Sequence, residues 1–207
     1  MPKLFIITGS NGAGKSTVGF SYLNHYHSDV FDGDKEYLKK RSLLWKQGLR
    51  SEKLIKELAS NYVDELLDGL VKSAIHQKID FAYEGHFSLE TSWNLPKVFK
   101  KEGYEIHLIF FGLSDIELSV QRVLIRAIEG GHYVDRITLT ENFYGNLKKV
   151  DQHLDLFDSL EVVDTSITIH KSLILVRNGT VIESLAYSYL PKWVIHYLPN
   201  LIKMLKP

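Results

Sequence analysis

The residues best suited to chemistry lie near the amino terminus, where a glycine-rich segment precedes a lysine and two hydroxyl residues. Residues 9–17 read Gly-Ser-Asn-Gly-Ala-Gly-Lys-Ser-Thr and match the pattern G-x-x-x-x-G-K-[ST] in full. Glycines let successive backbone N–H groups converge on phosphate oxygens, and the helix amino terminus that follows adds positive potential. Lys15 is suited to reach the β- and γ-phosphates, and the Ser16 hydroxyl to ligate Mg²⁺. The pattern predicts a phosphate loop made of Gly9, Ser10, Asn11, Gly12, Ala13, Gly14, Lys15, Ser16 and Thr17.

The segments on either side of this loop are the buried strand and the helix between which a phosphate loop lies. Lys3 to Thr8 is an apolar run typical of a strand buried on both faces of a parallel sheet. Similar short runs at 29–31, 79–84, 105–111 and 160–163 alternate with helical segments at 15–26, 34–46, 51–77, 89–102, 115–129 and 136–154. Residues 114–117 fit a capping box at the start of the fifth helical segment. This alternation predicts an α/β fold with a five-stranded parallel sheet flanked by helices.

After Thr165 the pattern changes from alternating strands and helices to a hairpin. Residues 173–177 and 180–183 flank Asn178-Gly179, a strong hairpin signal, and the apolar segment 193–205 predicts a closing helix. We therefore predict one domain over residues 1–207, with a core at 1–166 and a C-terminal hairpin and helix appended at 167–207.

The composition of the chain indicates which kinds of partner and which cellular compartment to expect. The 207 residues include 25 basic and 25 acidic side chains, and a net charge of zero provides no footprint for broad binding to nucleic acid or an acidic membrane. The chain has no cysteine, which excludes disulfides and thiolate chemistry. The initial apolar run is too short for a signal peptide, and no window approaches the roughly 20 apolar residues of a membrane span. We expect a cytoplasmic protein with neither a nucleic-acid nor a membrane partner.

Other nucleotide-binding classes fail on single residues. A dinucleotide fingerprint beginning at Gly12 would need glycine at position 17, which is Thr17. The chain has no Asn-Lys-x-Asp guanine motif and no apolar strand ending in Asp-Glu. A compact P-loop kinase with ATP and Mg²⁺ as cofactors is the class that remains.

Carboxylates follow two of the predicted strands, where a kinase would hold its acceptor. Asp32 and Asp34 follow the second strand as candidate substrate residues; Asp34 could accept the proton of the acceptor hydroxyl, or the pair could form a turn and a helix N-cap. Glu84 closes the third strand, where its carboxylate needs a cation or donor such as Mg²⁺ or a substrate hydroxyl. His86 could contact substrate or be simply solvated.

Basic residues form two further groups. Arg122 and Arg126 share one helix face before Gly130-Gly131, an arrangement that could form a mobile phosphate-binding lid or pair with Glu117 and Glu129. Residues 35–56 hold eight basic and two acidic side chains, which could attract a phosphorylated acceptor or form an ordinary solvated surface.

These motifs, in this order, resemble the zeta-toxin family of P-loop kinases over about residues 3 to 166. The matching segments are the phosphate loop, 31–34, 82–87, 101–106, 122–126, 130–132 and 163–166. The resemblance implies ATP-dependent phosphorylation of a hydroxyl of UDP-N-acetylglucosamine or a related nucleotide sugar, and inhibition by a small antitoxin. It also implies that Asp34 is the catalytic base, that Glu84 is the acidic residue of a Glu-Gly-Thr substrate motif, and that Arg126 contacts the ATP phosphates.

The chain departs from the family pattern at several positions near the expected site. His86 replaces a threonine and Ser88 a substrate-contacting arginine, while Asp135, residues 140–142 and Gly145 stand where a proline and arginines are usual. His132 or Arg136 could compensate for the missing cations. We predict the P-loop NTPase fold of the kinase type with strand order 2-3-1-4-5. The alternatives are a nucleotide-binding regulator with little phosphoryl transfer and a kinase for a nucleoside or another metabolite.

Overall fold

The protein folds around one mostly parallel sheet with helices on its faces. The computed structural model describes residues 1–23, 29–131 and 133–205. The strands are β1 (Lys3–Gly9), β2 (Phe31–Asp32), β3 (Phe81–Glu84), β4 (Glu105–Gly112), β5 (Ser159–Asp164), β6 (Lys171–Arg177) and β7 (Thr180–Ser184). Their order is β2-β3-β1-β4-β5-β6-β7, and β1 to β5 pair in parallel. The predicted α/β class and the 2-3-1-4-5 order are confirmed.

The C-terminal hairpin extends this sheet, which corrects the prediction of a five-stranded sheet with the hairpin as a separate appendage. β6 pairs antiparallel with β5, and β7 pairs antiparallel with β6. Asn178 and Gly179 take the positive φ values of 48° and 73° that a tight hairpin turn needs. The reason for the extension is that β5 would otherwise present an unpaired edge, which β6 covers.

The helices follow the predicted segments, with differences at their ends. They are α1 (Lys15–Val18), α2 (Gly33–Lys46), α3 (Glu52–Gln77), α4 (Asn94–Lys101), α5 (Ile116–Ile128), α6 (Arg136–Gln152), α7 (Lys192–Tyr197) and α8 (Pro199–Met204). The helix predicted at 15–26 gives way to a 3₁₀ turn at Gly19–Tyr22, and residues 24–28 lie outside the described residues. The N-cap of α5 is Asp115 rather than Ser114, because the Asp115 carboxylate accepts the Leu118 N–H at 2.9 Å.

The prediction of a single C-terminal helix at 193–205 is wrong, because this segment forms two helices, α7 and α8. Pro199 opens α8, and its ring disfavours helical geometry at the preceding residue, Leu198, whose φ and ψ are −119° and 54°. The first of the two helices, α7, packs closely on the sheet. A Cβ at Gly112 would lie 2.1 Å from the Trp193 ring, so the glycine makes room for the indole.

The central strands carry the buried core and bring the phosphate loop to one edge. In β1, Leu4, Ile6 and Ile7 are at most 1% exposed, because helices cover both faces of the sheet. The carboxyl ends of β1, β2 and β3 meet where Glu84 stands in register with Ile7 and with Asp32. In the described ranges, no helix is both long and apolar enough to cross a membrane.

Candidate active site

The phosphate loop turns sharply between β1 and α1, and its glycines are required by that geometry. Gly9, Gly12 and Gly14 have φ values of +139°, +74° and +81°, which side-chain-bearing residues rarely adopt. A Cβ at Gly9 would lie 2.1 Å from the Phe111 carbonyl oxygen, and one at Gly12 would lie 2.9 Å from the Arg122 Cβ. The backbone of β4 and the side of α5 therefore press directly against the loop.

Lys15 folds back over this loop and is only 7% exposed. Its ammonium group donates to the carbonyl oxygens of Gly9 and Ser10, each at 3.1 Å. Burial lowers the pKa of Lys15, and the carboxylates of Glu84 and Asp34 act in the opposite direction. A bound nucleotide phosphate would place negative charge beside this buried ammonium group and stabilise its protonated form.

Ser16 and Glu84 contact each other across the mouth of the loop. The Ser16 hydroxyl donates to the Glu84 Oε1 at 2.8 Å. Burial raises the pKa of Glu84, while Lys15 and the Ser16 hydrogen bond lower it. A hydroxyl and a carboxylate both offer oxygen ligands of the kind that Mg²⁺ prefers. Mg²⁺ commonly binds one or two protein oxygens and completes its coordination with phosphates and waters. The pair therefore fits Mg²⁺ chemically.

Asp32 and Asp34 differ in their surroundings although they are two residues apart. Asp32 is the N-cap of α2, and its carboxylate accepts the Lys35 N–H at 3.0 Å. Asp34 lies in the first turn of that helix and is exposed. Its negative charge raises the pKa of both Lys15 and Glu84, so it acts on the same site. The structure therefore brings Asp32, Glu84 and Lys15 to one cavity, while Asp34 stands outside the residues that line it and acts on the site through its charge.

A cavity of about 690 Å³ opens from these groups toward α2 and α3. Lys15, Ser16, Asp32 and Glu84 form its polar end. The rest of the wall comes from the 3₁₀ turn, β2, α2, α3, β3 and the segments that precede β2 and β3, and the sequence did not mark the α3 residues as site residues. The cavity is large enough for a small acceptor beside a nucleotide.

His86 lies behind the phosphate loop, next to a buried asparagine of α6. The Nδ2 of Asn146 lies 3.4 Å from the His86 Nδ1. Burial lowers the pKa of His86 well below its ordinary value, and the nearby charge of Lys15 lowers it further, so the ring is neutral. The Gly9 carbonyl acts in the opposite direction. His86 therefore supports the phosphate loop from behind, and it does not line the cavity.

Asn146 joins three segments around the site. Its Oδ1 accepts from the Thr8 hydroxyl at 3.1 Å and from the Phe87 N–H at 2.5 Å, while its Nδ2 donates to the Asn142 carbonyl at 2.6 Å. The side chain of Asn142 in turn donates to the Asn11 Oδ1 at 3.1 Å. We call Asn11, Asn142 and Asn146 the amide network.

Sequence reasoning missed the contribution of α6 to this network. A signal was present, because Asn146 falls among Phe143, Leu147 and Val150 on the buried face of the helix. Gly145 also has a packing reason, since a Cβ there would lie 2.6 Å from the Ser88 Cβ. The helix therefore approaches the segment after β3 closely.

The predicted basic groups occupy different places. Arg122 donates to the Gly12 carbonyl at 3.2 Å and to the Ser166 carbonyl at 3.0 Å, so it ties α5 to the phosphate loop. Arg126 is exposed at the last turn of α5, and its charge lowers the pKa of Lys15. Arg136 pairs with Glu117 on the surface. His132 lies outside the described residues.

Known proteins are similar to this chain in sequence or in fold. The chain is 28% identical over 136 residues to an uncharacterised protein of Haemophilus influenzae, a match covering 64% of this chain and 86% of that protein. A structure from the PezAT toxin–antitoxin system of Streptococcus pneumoniae is similar with a TM-score of 0.56 at 21% identity, over 82% of this chain and 71% of that one. The AvrRxo1-ORF1:-ORF2 structure with ATP has a TM-score of 0.66 at 16% identity, over 87% of this chain and 60% of that one.

Sequence similarity over most of the chain shows which family the protein belongs to. The sequence model described as Zeta toxin matches residues 1–182, which include the phosphate loop, Asp34, Glu84 and both arginines of α5. The match supports a kinase-like, nucleotide-binding function. This chain, with its phosphate loop and converging carboxylates, belongs to the zeta toxin family.

Proposed function

We propose that the protein is an ATP-dependent kinase that transfers the γ-phosphoryl group to a hydroxyl of a small acceptor. The observation that carries this proposal is the convergence of Lys15, Ser16, Glu84 and Asp32 on one cavity at the carboxyl edge of the sheet. ATP as the donor is supported by family membership and by the ATP named for the AvrRxo1 structure.

The donor end of the site is assigned to the phosphate loop. Its backbone N–H groups and Lys15 bind the phosphates, and Arg126 adds positive charge from the last turn of α5. Ser16 and Glu84 would hold Mg²⁺, which neutralises phosphate charge when bound. Arg122 holds the loop against α5 through the Gly12 carbonyl.

The acceptor end is assigned to the two carboxylate segments. The acceptor oxygen attacks the γ-phosphorus, a new P–O bond forms, and the bond to the β–γ bridging oxygen breaks, which releases ADP. Asp34 takes the hydroxyl proton, because its exposed carboxylate is available while that of Asp32 caps α2. Asp32 and Glu84 orient the acceptor. The PezAT toxin–antitoxin system supports, by analogy, inhibition by an antitoxin-like protein.

Mass spectrometry of reaction products tests this proposal. The protein is incubated with Mg-ATP and a panel of UDP-sugars, nucleosides and other alcohols, and ATP binding is measured separately. Wild type should form a phosphorylated product, whereas Asp34→Asn should lose at least about 99% of transfer and keep its ATP affinity. Asp155→Asn removes another exposed aspartate, from the turn after α6, and should leave transfer unchanged.

The outcomes separate the kinase from a nucleotide-binding regulator. Tight ATP binding without product from any acceptor contradicts the kinase and favours the regulator. Transfer at the wild-type rate by Asp34→Asn contradicts the role of Asp34 alone.

A further inference from the structure

Two segments leave the carboxyl edge of the sheet side by side: the phosphate loop after β1, and residues 85–88 after β3. Inside the sheet they are joined by strand pairing, since Ile7 stands opposite Glu84 and the Gly85 N–H donates to the Ile7 carbonyl at 3.1 Å. Beyond Gly9 and Glu84 both segments lie outside the strands. Strand pairing therefore no longer fixes the position of one segment relative to the other.

One face of α6 makes the connection beyond the sheet. Asn142 and Asn146 are four residues apart and so lie on the same face of this helix. Asn146 accepts the Phe87 N–H at 2.5 Å. The Nδ2 of Asn142 donates to the Asn11 Oδ1 at 3.1 Å, and its Oδ1 accepts from the Ser88 hydroxyl at 3.0 Å. The Asn142 amide therefore contacts both segments at once.

The phosphate-loop end of this connection is firmly held. Asn11 is 7% exposed, and its carbonyl accepts from the Ser119 hydroxyl of α5 at 2.7 Å. The main chain of Asn11 is thus fixed from α5, and its side chain from α6 through Asn142. Phosphate is bound by the backbone N–H groups of such a loop. A loop that is already ordered binds more tightly, because it loses less conformational freedom on binding.

The other end of the connection is Ser88, which is half-buried. A hydroxyl has a single proton to donate, and Ser88 donates it to Asn142. The helix and this segment are also in close contact, since a Cβ at Gly145 would lie 2.6 Å from the Ser88 Cβ. The same segment begins directly after Glu84, whose carboxylate accepts from the Ser16 hydroxyl at 2.8 Å. Order in residues 85–88 therefore bears on the position of that carboxylate.

We propose that Asn142 is a positioning residue that couples the phosphate loop to residues 85–88, so that nucleotide binding and order in this segment favour each other. Linked equilibria are reciprocal: if Ser88 strengthens nucleotide binding through Asn142, bound nucleotide orders the segment of Ser88 by the same free energy. The inference rests on the proposed function for the nucleotide and for the role of Glu84. Asn142 acts through Asn11 and Ser88 and is not itself catalytic.

Calorimetric titration with the ATP analogue AMP-PNP and Mg²⁺ measures this coupling without turnover. Ser88→Ala changes no residue of the phosphate loop, yet it should weaken AMP-PNP binding about threefold or more, as contacting groups that are coupled do. In the Asn142→Ala background the same substitution should have no further effect, because the connection is already absent. Ser92→Ala removes another half-buried serine, outside the connection, and should leave the affinity unchanged in both backgrounds. Equal losses from Ser88→Ala in both backgrounds, or no loss in either, overturn the proposal.

Hydrogen exchange followed by mass spectrometry tests the reciprocal effect. In wild type, AMP-PNP should slow amide exchange in peptides that cover residues 9–17 and in those that cover residues 85–88. In Asn142→Ala the slowing should persist at 9–17 and be lost at 85–88. Faster exchange of both segments before AMP-PNP is added, with slowing equal to that of wild type afterwards, indicates a packing role only and overturns the proposal.

The same measurements separate this inference from the proposed function. Failure of AMP-PNP to bind wild type overturns both the nucleotide-binding function and the coupling. Coupling without transfer from ATP to any acceptor contradicts the kinase and leaves the role of Asn142 standing. Transfer by a wild type that shows no coupling overturns the role of Asn142 and leaves the kinase standing.

Discussion

Replacement of Asn146 by leucine tests how the amide network supports the site. Asn146 is 0% exposed, and its Oδ1 accepts from the Thr8 hydroxyl and the Phe87 N–H. Leucine has a similar size but leaves both buried donors without this acceptor. Each such group costs about 1–3 kcal/mol, so Asn146→Leu should lower the free energy of unfolding by about 2–6 kcal/mol. Because Thr8 leads into the phosphate loop, ATP affinity should fall as well.

A double-mutant cycle with Thr8→Val separates the lost hydrogen bond from a general packing defect. Valine removes the orphaned hydroxyl, so Thr8→Val should cost less in the Asn146→Leu background than in wild type, with a coupling of about 0.5–3 kcal/mol. Unfolding in urea, followed by tryptophan fluorescence, gives the stabilities, and equilibrium dialysis gives ATP affinity. Asn142→Ala is the control; it is half-buried and should cost less than Asn146→Leu. A loss below 1 kcal/mol with no coupling would refute this reasoning.

Three further changes test individual side chains. Burial lowers the pKa of His86 in the folded protein, whereas the unfolded chain takes up a proton near pH 6.5. The free energy of unfolding should therefore fall as the pH drops below about 6.5, by at most about 1.4 kcal/mol per pH unit. Urea unfolding of His86→Gln at several pH values should lose this pH dependence. The buried Tyr83 hydroxyl has no hydrogen-bond partner among the described residues, so Tyr83→Phe should stabilise by about 1 kcal/mol and raise Tm by about 2–4 °C in a thermal scan. Asp32→Ala removes the N-cap of α2 and should cost about 1 kcal/mol in urea unfolding, whereas Asp32→Asn should cost little.

Local sequence patterns were sufficient to predict those features whose structure depends on residues close together in the chain. The glycines of the phosphate loop predict its turn, since Gly12 and Gly14 adopt φ values that glycine alone takes easily. Alternating apolar and helical segments predict five parallel strands, and the Asn178-Gly179 pair predicts the hairpin turn. The sequence could not say which edge the hairpin would cover, because strand pairing is a long-range contact.

The motifs by themselves determined the nucleotide-binding class and the family of this protein, and the order of the five parallel strands was predicted from that class. Only the tertiary structure decided what surrounds the phosphate loop: that Ser16 reaches Glu84, 68 residues away, and that Asn146 of α6 reaches Thr8, 138 residues away. It also decided that residues of α2, α3 and β3 line one cavity together with Lys15 and Ser16. These contacts depend on how helices pack on the sheet, and packing sets distances between residues that no local spacing encodes.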